Sequence, residues 1–135
     1  SNSVNVAQSF LHLVGTTKLP PITVKSDVTV ASMFANSTSL KSVTITFNGK
    51  ARSLVSTFSG CTALENLQVS GDLQSSGLNV QWCPLTHDSL MSIINTLHDF
   101  GSETSARFVT FGEANTAKLS AAELQIVQDK GWTVK

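Results

Sequence analysis

The apolar positions of this chain fall into a phrase that is written twice. Phe34, Leu40, Val43 and Ile45 return 24 residues later as Phe58, Leu64, Leu67 and Val69, with small and polar residues between them. A pattern returning at that interval implies units that bury their apolar faces only by stacking on one another. Within each unit Val43/Ile45 and Leu67/Val69 alternate with polar residues, as a half-buried strand requires. Upstream, Leu19, Ile22 and Val24 match Leu40, Val43 and Ile45 at an offset of 21, with Leu13 in the place of Phe34. Val4 and Val6 form one further candidate strand.

Downstream, short β-prone runs occur at Leu78–Trp82, Arg107–Phe111 and Trp132–Val134. The expected strands are therefore 22–24, 43–45, 67–69, 78–82, 107–111 and 132–134. They are expected to form one parallel sheet, because the connections are too long for hairpins. Only eight residues separate Val69 from Leu78, short for a full return, so register is expected to break there if anywhere. Two core ladders follow: Ile22/Val43/Leu67 with Val24/Ile45/Val69, and Leu19/Leu40/Leu64 with Phe34/Phe58.

Two helices are predicted in the last third. Leu90, Ile93, Ile94, Leu97 and Phe100 lie at helical spacing, with Thr86 as N-cap, Asp88 in the first turn and Gly101 as the stop. Leu85 and Leu90 suit a hydrophobic staple. Ser120-Ala121-Ala122-Glu123 is a capping box flanked by Leu119 and Leu124, and that helix runs to about Lys130 before Gly131. The chain is read as one α/β domain, residues 1–135. Irregular repeats occupy 3–77, and a strand-helix-strand-helix-strand module occupies 78–135. The Leu40/Val43/Ile45 spacing, L-x-x-L-x-L, predicts a short leucine-rich-repeat solenoid with helices or loops on the return side.

Composition narrows the function. Charged residues are 13% of the chain and the formal net charge is zero. A nucleic-acid partner, which needs a basic surface, is therefore not expected. Ser and Thr make up about a quarter of the residues, well above usual composition. No apolar run approaches bilayer-spanning length, so membrane insertion is not expected. Ser1-Asn2 reads as a cloning remnant, and the sequence is read as an excised part of a longer chain.

The phrases MFANSTSLKSVTI and TFSGCTALENLQV resemble the BspA-like leucine-rich repeats of bacterial surface proteins. The tail from Cys83 to Val134 is similar to the module that closes such arrays in gut bacteria and their phages. The resemblance covers most of residues 10–135. It implies an adhesive solenoid without enzyme activity, on a cell surface, outside the cell or on a virion, meeting a protein or glycan of a host or neighbouring cell.

Side chains that carry chemistry are few. His12, His87 and His98 show no metal-ligand spacing, and His87 and His98 stand at opposite ends of one helix. Asp88 and Asp99 read as helix-end charges. Cys61 and Cys83 are expected on different sides of the repeat. They read as buried thiols, with a disulfide as the alternative in an oxidising compartment. No phosphate loop, dinucleotide fingerprint or nucleophile elbow is present. No cofactor, metal or catalytic residue is expected.

The remaining candidate is a surface. Strand positions between the apolar ones point away from the core. They are Thr23, then Ser42, Thr44 and Thr46, then Asn66 and Gln68, then Asn79 and Gln81, then Phe108 and Thr110, then Thr133. Stacked in one sheet, they form a face of hydroxyls and amides with one aromatic, able to donate to and accept from sugar hydroxyls or a protein backbone. Ser42, Thr44, Thr46, Asn66, Gln68, Asn79, Gln81, Phe108 and Thr110 are the candidate ligand-binding residues. The function expected is a non-enzymatic extracellular interaction module, an adhesin or phage receptor-binding part. The alternative is a structural spacer or capping module of a larger surface protein. Weak self-association through residues 3–14 is expected at the N-terminal edge.

Overall fold

The computed structural model describes residues 15, 17–18, 21–25, 34–50, 54, 56–101 and 107–135. The expectations placed on Val4, Val6, Leu13, Leu19, His12 and the self-association of residues 3–14 lie outside them. In chain order the elements are β1 (Ile22–Lys25), β2 (Ser42–Lys50), β3 (Asn66–Gln74), β4 (Gly77–Asn79), α1 (His87–Thr96), β5 (Phe108–Thr110), α2 (Glu113–Thr116), α3 (Ala121–Asp129) and β6 (Thr133–Val134). The class is α/β, and every strand pair among the described residues is parallel.

The repeat interval is the register. β2 and β3 pair residue for residue, from Ser42 with Asn66 to Lys50 with Gln74, an offset of 24 throughout. The isolated bridges Lys18–Ser42, Leu54–Leu78 and Leu73–Leu97 keep that same offset of 24. Because strand side chains alternate with period 2, this register puts Val43, Ile45, Leu67 and Val69 on one buried face. β1 departs from the expected offset of 21: Ile22 pairs with Ile45 and Val24 with Phe47, an offset of 23. β2 is longer than predicted and carries a third inward residue, Phe47, so β1 docks one pair further along. A slip of two residues leaves the same side chains facing inward, which is why the sequence pattern tolerates both.

Among the described residues, the single sheet expected from the sequence is two sheets of three strands, ordered β1-β2-β3 and β4-β5-β6. The short stretch after Val69 is a corner rather than a return loop. β3 runs on to Gln74 and β4 starts at Gly77, with the Ser75 hydroxyl held against both the amide and the carbonyl of Gly77. Gly71 lies within β3, paired with Phe47. Its φ is +91°, and a Cβ there would collide with the Phe47 carbonyl oxygen. The alternation continues through it: Leu73 is buried in phase with Leu67 and Val69, and only the glycine at the intervening inward position is exposed. β4 ends at Asn79, so Trp82, expected inward at the end of a 78–82 strand, sits on a turn and is 59% exposed.

A column of turns runs beside the first sheet. Phe34 and Phe58 are 0% and 3% exposed, and their rings stack at 5.6 Å and 17°. The turns share backbone bonds, Phe34 N–H to the Thr57 carbonyl and Asn36 N–H to that of Ser59. Asn36 and Gly60 both have positive φ, and a Cβ at position 60 would collide with the Asn36 side chain. Leu40 and Leu64 are fully buried behind the rings.

α1 begins where predicted, with the Thr86 side chain accepting from Ser89 N–H. It ends at Thr96 rather than near Phe100, because Leu97 leaves the helix to bridge Leu73. α3 has the predicted capping box between Ser120 and Glu123. The short helix α2 was not expected.

Phe58→Ala and Phe34→Ala are each expected to cost about 3–5 kcal/mol, the usual range for emptying a filled aromatic site. Urea melts measure this, and a loss below about 1 kcal/mol in both would contradict the stacked column.

Candidate functional site

The candidate face is divided by the two sheets. Ser42, Thr44, Thr46, Asn66 and Gln68 lie on the first sheet; Asn79, Phe108 and Thr110 lie on the second, with Gln81 just past β4. The single face expected from stacking all six strands is therefore corrected to two surfaces. The cause is the corner between Gln74 and Gly77, which moves the chain from the first sheet to the second.

On the first sheet, register sorts the candidates into rows: Ser42 beside Asn66, Thr44 beside Gln68, and Thr23, Thr46 and Ser70 in line. Thr44, Asn66 and Gln68 are exposed, and Ser42 and Thr46 are half-buried. The Thr46 and Ser70 hydroxyls lie 2.9 Å apart and bond each other. Sequence reading passed over Ser70, although its place in the row follows from the offset of 24. Asp72 and Gln74 continue this side of β3, where the Asp72 carboxylate bonds His98 Nδ1 at 2.9 Å and accepts from the Gln74 amide at 3.0 Å.

The far edge of β3 is closed by α1. Ser89 Oγ accepts from Leu67 N–H at 3.0 Å and donates to the Glu65 carbonyl at 3.0 Å. Ser92 Oγ accepts from Val69 N–H at 3.2 Å and stands 2.9 Å from the Leu67 carbonyl. Thr96 Oγ1 stands 2.9 Å from the Val69 carbonyl. Backbone bonds flank these contacts, Thr86 N–H to Glu65 and His98 N–H to Leu73. Three hydroxyls on one helix stripe thus take the place of a strand.

On the second sheet Asn79 pairs with Thr110, and Phe108 lies between Gly77 and Thr133. Val109 and Phe111 are buried, so Phe108 faces outward, half-buried beneath the Lys135 ammonium 4.5 Å from its ring centroid. The Asn79 side chain accepts from Gln81 N–H at 3.0 Å, which gives it a turn-holding role. Gln81 and Thr110 line an open groove of about 470 Å³ with Gly112, Glu113, Thr116 and Lys135.

The two cysteines stand on the same side of the repeat, not on different sides. Cys61 S–H donates to the Phe34 carbonyl at 3.1 Å, and Cys83 S–H to the Phe58 carbonyl at 3.7 Å. The next carbonyl in that column, Val80, is taken by the buried Asn115 amide at 3.1 Å. Asn115 also reaches the Cys83 and Phe111 carbonyls at 2.8 and 2.9 Å, so it terminates the column. Both cysteines are free thiols. Burial pushes Cys61 up to about 11; burial, with the neighbouring Cys61, pushes Cys83 up to about 12.

Among the described residues, His87 opens α1 and His98 follows its end. His87 Nε2 lies 2.8 Å from Glu123, joining α1 to the start of α3. The Ser120 N–H and then His87 hold the Glu123 carboxyl below its ordinary range. Lys130 is lowered by burial, against the opposing pull of Asp99 and Asp72, and donates to the Ile94 carbonyl at 2.8 Å. Among the described residues no group of three His, Cys, Asp or Glu is placed to hold a metal ion.

Two outcomes are expected from these contacts. Ser89→Ala leaves a buried N–H and a carbonyl without the hydroxyl and should cost about 1–3 kcal/mol in a urea melt, more than Ser120→Ala with its exposed cap. The thiols set an alkaline limit. Their folded pKa values lie above the unfolded one, so their contribution is complete below about pH 9 and declines as pH rises toward 11 and 12. The Cys61→Ser/Cys83→Ser variant should flatten that decline, because the buried Ser37 already fills the equivalent place one unit upstream. An unchanged slope above pH 9 would contradict the assignment.

No family model matches the chain, and no curated protein and no solved structure matches it, so the likeness to BspA-like repeats rests on the repeat phrases and the tail.

Proposed function

We propose that this chain is a non-enzymatic interaction module, a short BspA-like leucine-rich-repeat solenoid that binds a protein or glycan outside the cell or on a virion. The observation that carries the reading is the register of β2 and β3. It places Ser42 beside Asn66, Thr44 beside Gln68 and Thr46 beside Ser70, a plane of uncharged donors and acceptors. Groups that both donate and accept suit sugar hydroxyls and peptide bonds alike. The chemistry of the cysteines favours the non-enzymatic part: thiols with pKa values of about 11 and 12 supply little thiolate at neutral pH.

A second reading has its own support. α1 closes one edge of the first sheet with its hydroxyls, as a terminal cap does. On that reading the chain is a structural spacer or capping module and its neighbours bind.

Binding to a glycan array and to host cells separates the two. The interaction reading expects binding that Thr44→Arg or Gln68→Arg weakens at least about tenfold, or 1.4 kcal/mol. Phe108→Ala, on the other sheet, serves as the comparison. Absence of binding to every glycan and cell surface, or binding indifferent to both arginines, would favour the spacer.

A further inference from the structure

The turn before β2 carries a motif that its backbone does not require. Among the asparagines of the chain, only Asn36 is followed two residues later by Ser or Thr with no proline between, in Asn36-Ser37-Thr38. That spacing is the acceptor motif for N-linked glycans. Asn36 and Thr38 are exposed, and Ser37 is buried between them.

The next unit shows what the turn itself needs. At the offset of 24 the same place holds Gly60-Cys61-Thr62. Thr38 N–H donates to the Asn36 carbonyl at 3.0 Å, and Thr62 N–H to that of Gly60 at 2.9 Å. Asn36 and Gly60 have φ of +62° and +76°. Glycine adopts that region freely, and asparagine is among the few other residues that visit it. Gly60 makes the turn with no side chain, so the backbone geometry does not call for the carboxamide of Asn36.

That carboxamide is open to reaction. Its oxygen lies toward Gly60, where a Cβ would collide with it. Among the described residues neither the Asn36 carboxamide nor the Thr38 hydroxyl makes a hydrogen bond. Asn36 stands in the turn column, outside the rows of β2 and β3. A substituent on its nitrogen therefore extends into solvent and displaces no packed group.

We propose that Asn36 is the acceptor of an N-linked glycan, transferred from a polyprenyl-diphosphate-linked oligosaccharide. In the transfer Asn36 Nδ2 forms a bond to the anomeric carbon of the first sugar. The bond from that carbon to the diphosphate breaks, and the lipid diphosphate leaves with the electron pair. Nδ2 gives up one proton to a base of the transferase. Thr38 is the residue by which the transferase recognises the motif. Ser37 is buried in the finished turn, so transfer precedes its folding. The proposal rests on the extracellular part of the function proposed above, since a chain meets such a transferase on crossing a membrane.

The test supplies that crossing. The full 135-residue chain is secreted from eukaryotic cells behind a heterologous signal peptide. Its proteolytic peptides are read by mass spectrometry before and after peptide N-glycosidase. Most of the secreted chain is expected to carry one glycan, on Asn36, which the glycosidase removes to leave an aspartate. Thr38→Ser should keep the modification, and Thr38→Ala should lower it at least tenfold. Asn36→Gly should abolish it, and the glycine at position 60 shows that such a turn still forms. Secreted chain unmodified at Asn36, or modification that survives Thr38→Ala, would overturn the proposal. Either result would leave the extracellular reading standing, because the glycan-array and host-cell experiment decides that one separately.

Discussion

A parallel sheet that grows by adding units must stop somewhere, and its last strand then carries a row of N–H and C=O groups with no partner. That edge is the constraint on which this structure depends. Leu67 and Val69 are buried, so their backbone groups cannot turn to water without cost. The chain solves this with a helix. Ser89, Ser92 and Thr96 project from one stripe of α1 and meet the amides and carbonyls from Glu65 to Val69. The same helix buries Leu90, Ile93 and Ile94 against the core. One element thus supplies both the apolar cover and the polar closure.

The turn column ends by a parallel device. Each turn takes a carbonyl from the one before it, Cys61 from Phe34 and Cys83 from Phe58. Asn115 then takes the Val80, Cys83 and Phe111 carbonyls together. Backbone polar groups that repetition would otherwise leave open are thus met by side chains, and growth in both columns stops. What stays outward on the first sheet is a set of hydroxyls and amides whose spacing is set by the backbone ladder rather than by their own packing. This is why register, more than any single residue, governs the proposed contact face.

The repeat phrase made the central strands, their parallel order and the core residues Phe34, Phe58, Leu40 and Leu64 legible, because stacking demands that apolar residues recur at the rung interval. The caps at Thr86 and Ser120 were legible because capping is local chemistry. The second sheet was legible only as a weak point. The eight residues between Val69 and Leu78 marked where register could break, but not that β4 would pair with β5 and β6 in a sheet of its own. The β1 register was hidden because offsets of 21 and 23 keep the same face inward. Trp82 was misplaced because alternation over Leu78, Val80 and Trp82 continues past the end of the strand. The edge-closing hydroxyls are a Ser/Thr stripe on a helix, which in sequence is indistinguishable from a solvated face. The groove arises from the backbone approach of Gly112 to Gln81, and no periodicity reports that.

Amide hydrogen exchange at Leu67 and Val69 tests the edge closure most directly. The account predicts protection at the level of the buried ladder amides of β2 and β3, because serine hydroxyls hold both N–H groups. Exchange as fast as that of the exposed turn at Gly101 would contradict it, and would mean that β3 ends in an open edge with α1 merely lying against it.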